Sequence, residues 1–211
     1  MTQENRSRSR GYRDVVPSPT TPSEDYESEG QRLDSSRRAI EGRVSISAPM
    51  PMTNVAGVET AEAEDERCMG LALEEARRAE AGGEVPVGAV VVLDGRLIGR
   101  GHNRVIATAD PTAHAEIVAL REAAKTVGNY RLAGAELFAT VEPCPMCCGA
   151  VLNARVARVV FGAADPKAGA ARTLYRLLDD ARLNHQVAVV AGVRSVECGA
   201  LLSEFFQKKR S

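Results

Sequence analysis

Downstream of residue 64, short β-rich apolar runs alternate with segments of helical periodicity, and that alternation restricts the chain to a layered α/β sheet. Met69, Leu73 and Ala76 recur at helical spacing and Gly82-Gly83 closes the segment, which predicts an amphipathic helix over 65–81. Val87–Leu93 and Arg96–Gly101 flank Asp94-Gly95, a pair that tolerates the positive φ angles of a tight hairpin turn, so a β-hairpin is expected there. Asp110-Pro111 reads as a cap and first-turn proline opening a helix over about 112–127. Leu137–Val141 is expected to be a strand, with a further helix starting near Pro143. Arg158–Gly162 and Val187–Ala191 are expected to be short buried strands, each followed by a helical segment.

Composition changes sharply upstream. Residues 1–63 are rich in Ser, Arg, Pro, Thr and Glu and hold few large apolar side chains, so they are expected to form a disordered N-terminal extension to a domain spanning 64–211. The Arg6-Ser7-Arg8-Ser9-Arg10 run reads as a solvated tail in preference to a nucleic-acid arm, and a true start at Met50 or Met52 is an alternative that intact mass would decide. With 27 basic and 28 acidic residues the formal charge is -1, and 64–211 hold nineteen and eighteen of them. Neither balance gives the electrostatic footprint of a general nucleic-acid binder, so any RNA affinity must come from a local basic surface, shape and a specific pocket. No apolar run reaches membrane-spanning length, no secretory h-region follows Met1, and Glu24, Asp25, Glu27 and Glu29 argue against a transit peptide; cytoplasm is the expected compartment.

Three of the five cysteines, Cys144, Cys147 and Cys148, crowd into five positions, which points to metal or thiol chemistry in a reducing compartment. Cys144 and Cys147 are three apart and share one side of a helical turn, while the helix N-terminus favours the thiolate that a metal needs. His114 adds an imidazole. Three protein ligands with a fourth position left to water is the catalytic pattern for Zn²⁺, since structural zinc is closed by four. Glu116, two residues on, suits a general acid/base that moves the proton of that water; alone it would read as a first-turn carboxylate favoured by the helix dipole. Together, H-x-E and P-C-x-x-C form the signature of zinc-dependent nucleobase deaminases. Cys148 points about 100° round the helix from Cys147 and is expected to be a small buried hydrophobe. Cys68 and Cys198 are read as core, and His102 and His185 fall in no ligand pair by spacing.

Carried on Glu84–Val90, Asp110–Ile117, Asn129–Leu132, Glu142–Cys147, Val159–Ala163, Asp165–Ala170, Asn184-His185 and Glu197–Phe206, the sequence from about Glu66 to Arg210 resembles the bacterial tRNA-specific adenosine deaminase (TadA) family of the cytidine-deaminase-like superfamily. The zinc motif is shared with guanine and cytosine deaminases; the Asp165-Pro166-Lys167 stretch and the Phe205-Phe206 helix are what resemble this family in particular. The resemblance implies a three-layer α/β/α fold with a five-stranded mixed sheet, a homodimer, and conversion of adenosine to inosine at the wobble position of a tRNA anticodon loop. It assigns one Zn²⁺ to His114, Cys144 and Cys147 and the proton shuttle to Glu116. It gives Asn103 the purine edge, brings the backbone N–H of Ala115 to the base, and turns Asp165 towards a ribose hydroxyl. Without it, Asn103 would read as a turn residue and Asp165 as an Asp-Pro turn. Lys208-Lys209-Arg210 reads equally as a phosphate contact or as cations favoured at a helix C-terminus. His102, Val105 and Cys148 stand where family members often carry an aromatic, a proline and an alanine. The runner-up activity is deamination of a free base or nucleoside such as guanine or cytosine; outside enzymes, the alternative is a zinc-stabilised RNA-binding module.

Overall fold

The computed structural model describes residues 60–210. The expectations for the Arg/Ser run, for a start at Met50 or Met52 and for the extension up to residue 59 lie outside the described residues. Residues 60–63, grouped with the extension on composition, open the first helix, α1 (Ala61–Ala81), where the Thr60 hydroxyl accepts the Ala63 N–H at 3.3 Å.

The hairpin forms as expected from β1 (Gly88–Leu93) and β2 (Arg96–His102), with Asp94 at φ 50° and Gly95 at φ 71°. A single-turn α2 (Val105–Thr108) follows, too short to leave a periodic signal. The next helix, α3, spans Ala115–Val127 with His114 at its N-cap and Gly128 in the left-handed region closing it. Its start differs from the expectation. Asp110 caps a turn of its own, its Oδ1 accepting from the Thr112 N–H at 2.8 Å and hydroxyl at 2.7 Å, and Pro111 lies in that turn. Then come β3 (Glu136–Val141), α4 (Pro145–Ala154), β4 (Arg158–Ala163), β5 (Ala188–Ala191) and α5 (Ser195–Lys208). Two further expectations are corrected. No helix follows β4, because residues 164–187 are a chain of turns held by side-chain acceptors, and β5 is a half-exposed edge strand.

The sheet order is β2-β1-β3-β4-β5, antiparallel between β2, β1 and β3 and parallel from β3 to β5. Strands β2, β3, β4 and β5 therefore all end at one edge. Alternate residues of each strand feed two cores. Val90, Val92, Phe138 and Val160 pack with Cys68, Met69 and Leu73 of α1 and Cys198 of α5. Ala89, Val91, Leu137, Ala139, Val159 and Phe161 pack with Ala119 and Leu120 of α3 and Val151 of α4. A large side chain such as Phe138 or Leu73, fully buried in this way, contributes about 1.5–3 kcal/mol. Arg158 ties the layers at the far edge by bonding Asp65 of α1 and Glu136 of β3.

Helix α3 lies unusually close to β2. A Cβ on Gly101 would stand 2.2 Å from the Ala115 carbonyl oxygen and 2.4 Å from the Ala119 nitrogen, so only glycine allows this approach.

Candidate active site

Every residue singled out from the sequence as a site candidate sits at the edge where β2, β3 and β4 end, the edge at which open α/β sheets place their ligands. Asn103 follows β2, Cys144 and Cys147 follow β3, and Asp165 follows β4. His114 and Glu116 reach the same place because the glycine-mediated contact sets the N-terminus of α3 over β2.

Cys144 is the N-cap of α4 and Cys147 lies in its first turn behind Pro145, so the shared side of the turn is as the spacing implied. The sulfurs are 3.6 Å apart, and His114 Nδ1 stands 3.7 Å from Cys144 Sγ and 3.6 Å from Cys147 Sγ. A tetrahedral ion with Zn–S of about 2.3 Å and Zn–N of about 2.0 Å requires ligand separations of about 3.5–3.8 Å, so the three atoms fit zinc without rearrangement. Among the described residues this is the group of His, Cys, Asp and Glu side chains close enough to share a metal.

The three candidate ligand groups are coupled by their hydrogen bonds. The Cys147 thiol bonds to Cys144 and lowers its pKa to about 4, against burial, which opposes the shift. The same contact and burial push the Cys147 thiol up. The bond to Cys144 raises His114 although burial opposes it. Glu116 is 4% exposed, and burial holds its carboxyl above the usual carboxylate range; the positive edge of His114 pulls the other way.

Asn103 Oδ1 accepts the Ala115 N–H at 2.9 Å. That amide, expected to meet the base, is therefore engaged with Asn103, and it locks the asparagine in place with its amide nitrogen left to donate. Asp165 opens the 164–187 segment, its Oδ1 accepting from the N–H groups of Lys167 at 2.8 Å and Ala168 at 3.2 Å.

The remaining histidines and cysteines are engaged within the fold. His102 bonds the buried Glu75 through Nδ1 at 3.0 Å, and His185 Nε2 meets the Val156 carbonyl at 2.8 Å. Cys68, Cys148 and Cys198 are buried, as expected. At the C-terminus, Lys208 pairs with Glu80 at 3.0 Å and Lys209 stacks over Phe205, so these cations stabilise α5.

Sequence reading missed the buried carboxylates Asp65, Glu75, Glu84 and Glu142, of which the last two hold loops near the site. Glu84 Oε1 accepts the N–H groups of Ile106 and Ala107, each at 2.8 Å, and so caps α2 from a distant loop. Glu142, 3% exposed, accepts four backbone N–H groups and a hydroxyl from residues 165–173. Burial by itself would raise the Glu142 carboxyl; these donors, led by Thr173 and Arg172, hold it below the usual range. Neither is marked locally: Glu142 follows an apolar run, as acids at exposed strand ends also do, and Glu84 follows Gly82-Gly83.

Comparison with known proteins decides the family. Residues 62–163 match the zinc-binding region of cytidine and deoxycytidylate deaminases. Over 147 residues the chain is 53% identical to the tRNA-specific adenosine deaminase of Haemophilus influenzae, covering 69% of this chain and 85% of that protein. The chain belongs to the tRNA-specific adenosine deaminase family. It is also 51% identical over 147 residues to the tRNA-specific adenosine deaminase of Bacillus subtilis, 70% of this chain and 91% of that one. A solved structure from work on tRNA deaminases that carry out A-to-I editing at the wobble position superposes with a TM-score of 0.63 at 45% identity, covering 64% of this chain and 99% of its own. The guanine deaminase from Nitrosomonas europaea superposes with a TM-score of 0.59 at 28% identity, over 70% of this chain and 85% of that one. In this chain a five-stranded mixed sheet stands between layers of helices, and His114, Cys144 and Cys147 all lie within the matched zinc-binding region.

Proposed function

We propose that this chain is a zinc-dependent hydrolase that converts adenosine to inosine at the wobble position of a tRNA anticodon loop. The observation that carries the reading is a His-Cys-Cys site of zinc dimensions beside a buried Glu116, in a chain 53% identical to a tRNA-specific adenosine deaminase.

His114, Cys144 and Cys147 would hold the zinc, which when bound supplies a Lewis acid that makes a water acidic enough to attack at neutral pH. Glu116, buried beside the three ligand atoms, would act in its ionised form as the base that takes a proton from water as it adds to C6 of adenine. The same carboxyl would pass that proton to the ring nitrogen, then take the proton of the hydroxyl formed at C6 and pass it to the departing amine, so that adenosine and water become inosine and ammonia. Asn103, with its oxygen held by Ala115, presents its amide nitrogen to the purine edge. Asp165 faces a ribose hydroxyl, which a carboxylate can accept. An anticodon-loop base is already unpaired, so drawing it into the pocket costs little.

The chain is read as a homodimer. A groove of about 590 Å³ between α3 and α4, lined by Ile117, Leu120, Tyr130, Met146 and Ala150, supports a second copy there, and light scattering of the full chain tests it. Its place is the cytoplasm with its tRNA substrate; among the described residues no helix is long and apolar enough to cross a membrane.

The test of the activity is to incubate the zinc-loaded protein with an anticodon stem-loop, adenosine, guanine and cytosine, following inosine and ammonia. Inosine in the stem-loop is expected. Turnover of guanine with none of the stem-loop would overturn the substrate, and zinc-dependent RNA binding with no product would overturn catalysis.

A further inference from the structure

The substrate loop and the metal loop are joined by one side chain. Glu142 directly follows β3 and stands two residues before Cys144, only 3% exposed and, among the described residues, without a cationic partner. Its Oε1 accepts the N–H groups of Ala171 at 3.2 Å, Arg172 at 2.7 Å and Thr173 at 2.9 Å. Its Oε2 accepts the N–H of Asp165 at 3.1 Å and the Thr173 hydroxyl. The Ala170 N–H adds a bond to the Pro143 carbonyl at 2.9 Å, next to the cysteine ligand. The fit leaves no slack, since a Cβ on Gly169 would stand 2.4 Å from the Glu142 carboxyl carbon. A buried carboxylate is expensive unless every lone pair is used, and here the use is to draw a turn-rich loop, which has no strand or helix of its own, onto the end of β3.

We propose that Glu142 is the positioning residue that sets Asp165 and its loop at a fixed distance from the metal centre, and so governs how the ribose of the target nucleotide is seated. This rests on the wobble-adenosine reading and on the role given there to Asp165. Glu142 touches neither substrate nor metal. It acts through the Asp165 N–H, which is the donor that fixes where the Asp165 side chain begins.

Glu142→Gln isolates that link. The single amide oxygen is claimed by the three N–H groups now on Oε1, so the amide nitrogen takes the Oε2 position and opposes the Asp165 N–H, donor against donor, while still able to donate to the Thr173 hydroxyl. In the full-length zinc-loaded protein, E142Q is expected to keep one zinc per chain and to speed hydrogen exchange of the Asp165 amide. KM for the anticodon stem-loop is expected to rise about tenfold, with a smaller change in kcat. The ratio of kcat/KM between a ribose and a deoxyribose target nucleotide should fall, a change that general destabilisation would not produce because it lowers both alike. Should E142Q fail to fold, Thr173→Val, which removes only the hydroxyl donor, is expected to move exchange, KM and the ratio in the same directions by a smaller factor. Wild-type exchange and an unchanged ratio, in E142Q or in T173V where that variant decides, overturn the proposal. A wild-type protein that leaves the stem-loop unmodified instead overturns the substrate reading, and exchange at Asp165 then tests the loop attachment by itself.

Discussion

At the residue scale the site is a set of groups whose ordinary properties are altered by neighbours. Glu116 is kept from water at a helix N-terminus that would otherwise favour its charge, and burial wins. Glu116→Ala is therefore expected to bind zinc at one ion per chain, by elemental analysis, and to lose about 10²–10⁴ in kcat. Loss of zinc along with activity would mean that Glu116 is a ligand. Asp165 carries a different expectation. Asp165→Asn keeps the turn-forming oxygen that accepts from Lys167 and Ala168 but removes the charge, so the preference for RNA over DNA stem-loops should relax while zinc stays bound. An unchanged preference would remove Asp165 from substrate recognition.

At the element scale, α3 brings His114 and Glu116 to the site only because β2 offers glycine at the contact. Gly101→Ala forces backbone apart at Ala115 and Ala119, and about 1–3 kcal/mol of stability is expected to be lost in urea unfolding, with weakened zinc retention because the displaced turn carries the ligand. Helix α5 shares a core with α1 through Cys198 and is tied to it by Glu197, which bonds Arg77 of α1 as well as Arg194 at its own N-terminus. The Arg194 guanidinium, with Arg77, holds the Glu197 carboxyl below its ordinary range despite some desolvation. The sign follows: this attachment is complete above the ordinary glutamate pKa and is lost as pH falls through the lower folded value. Because Glu197 is half-exposed, the effect is small, and amide exchange in α5 should rise modestly between pH 6 and pH 3 while the β3 core stays protected.

At the scale of the whole molecule, the metal site is placed on a sheet whose two cores contain none of the chemistry except the buried flank of α3 and α4. Chelation is therefore expected to abolish turnover and lower the melting temperature, with far-ultraviolet circular dichroism unchanged and activity restored by added zinc. Unfolding on chelation would mean that the ion is structural. Much of this was legible in the chain itself. The Asp94-Gly95 hairpin, the order of the strands, the H-x-E and P-C-x-x-C clusters and the buried cysteines follow from local rules, because turn chemistry, periodicity and ligand spacing are encoded within a few residues of one another. Where local rules competed with nearer partners they misled: Asp110 caps its own turn rather than α3, and residues 164–187 form turns instead of a helix, with the N–H groups of Asp165, Ala171, Arg172 and Thr173 taken by Glu142. The distance from His114 to the two sulfurs, the engagement of the Ala115 amide by Asn103 and the hold of Glu142 on Asp165 were decided by tertiary structure alone. Each joins residues 12 to 33 positions apart across different elements, and only the packing of helices on the sheet brings such partners within hydrogen-bond reach.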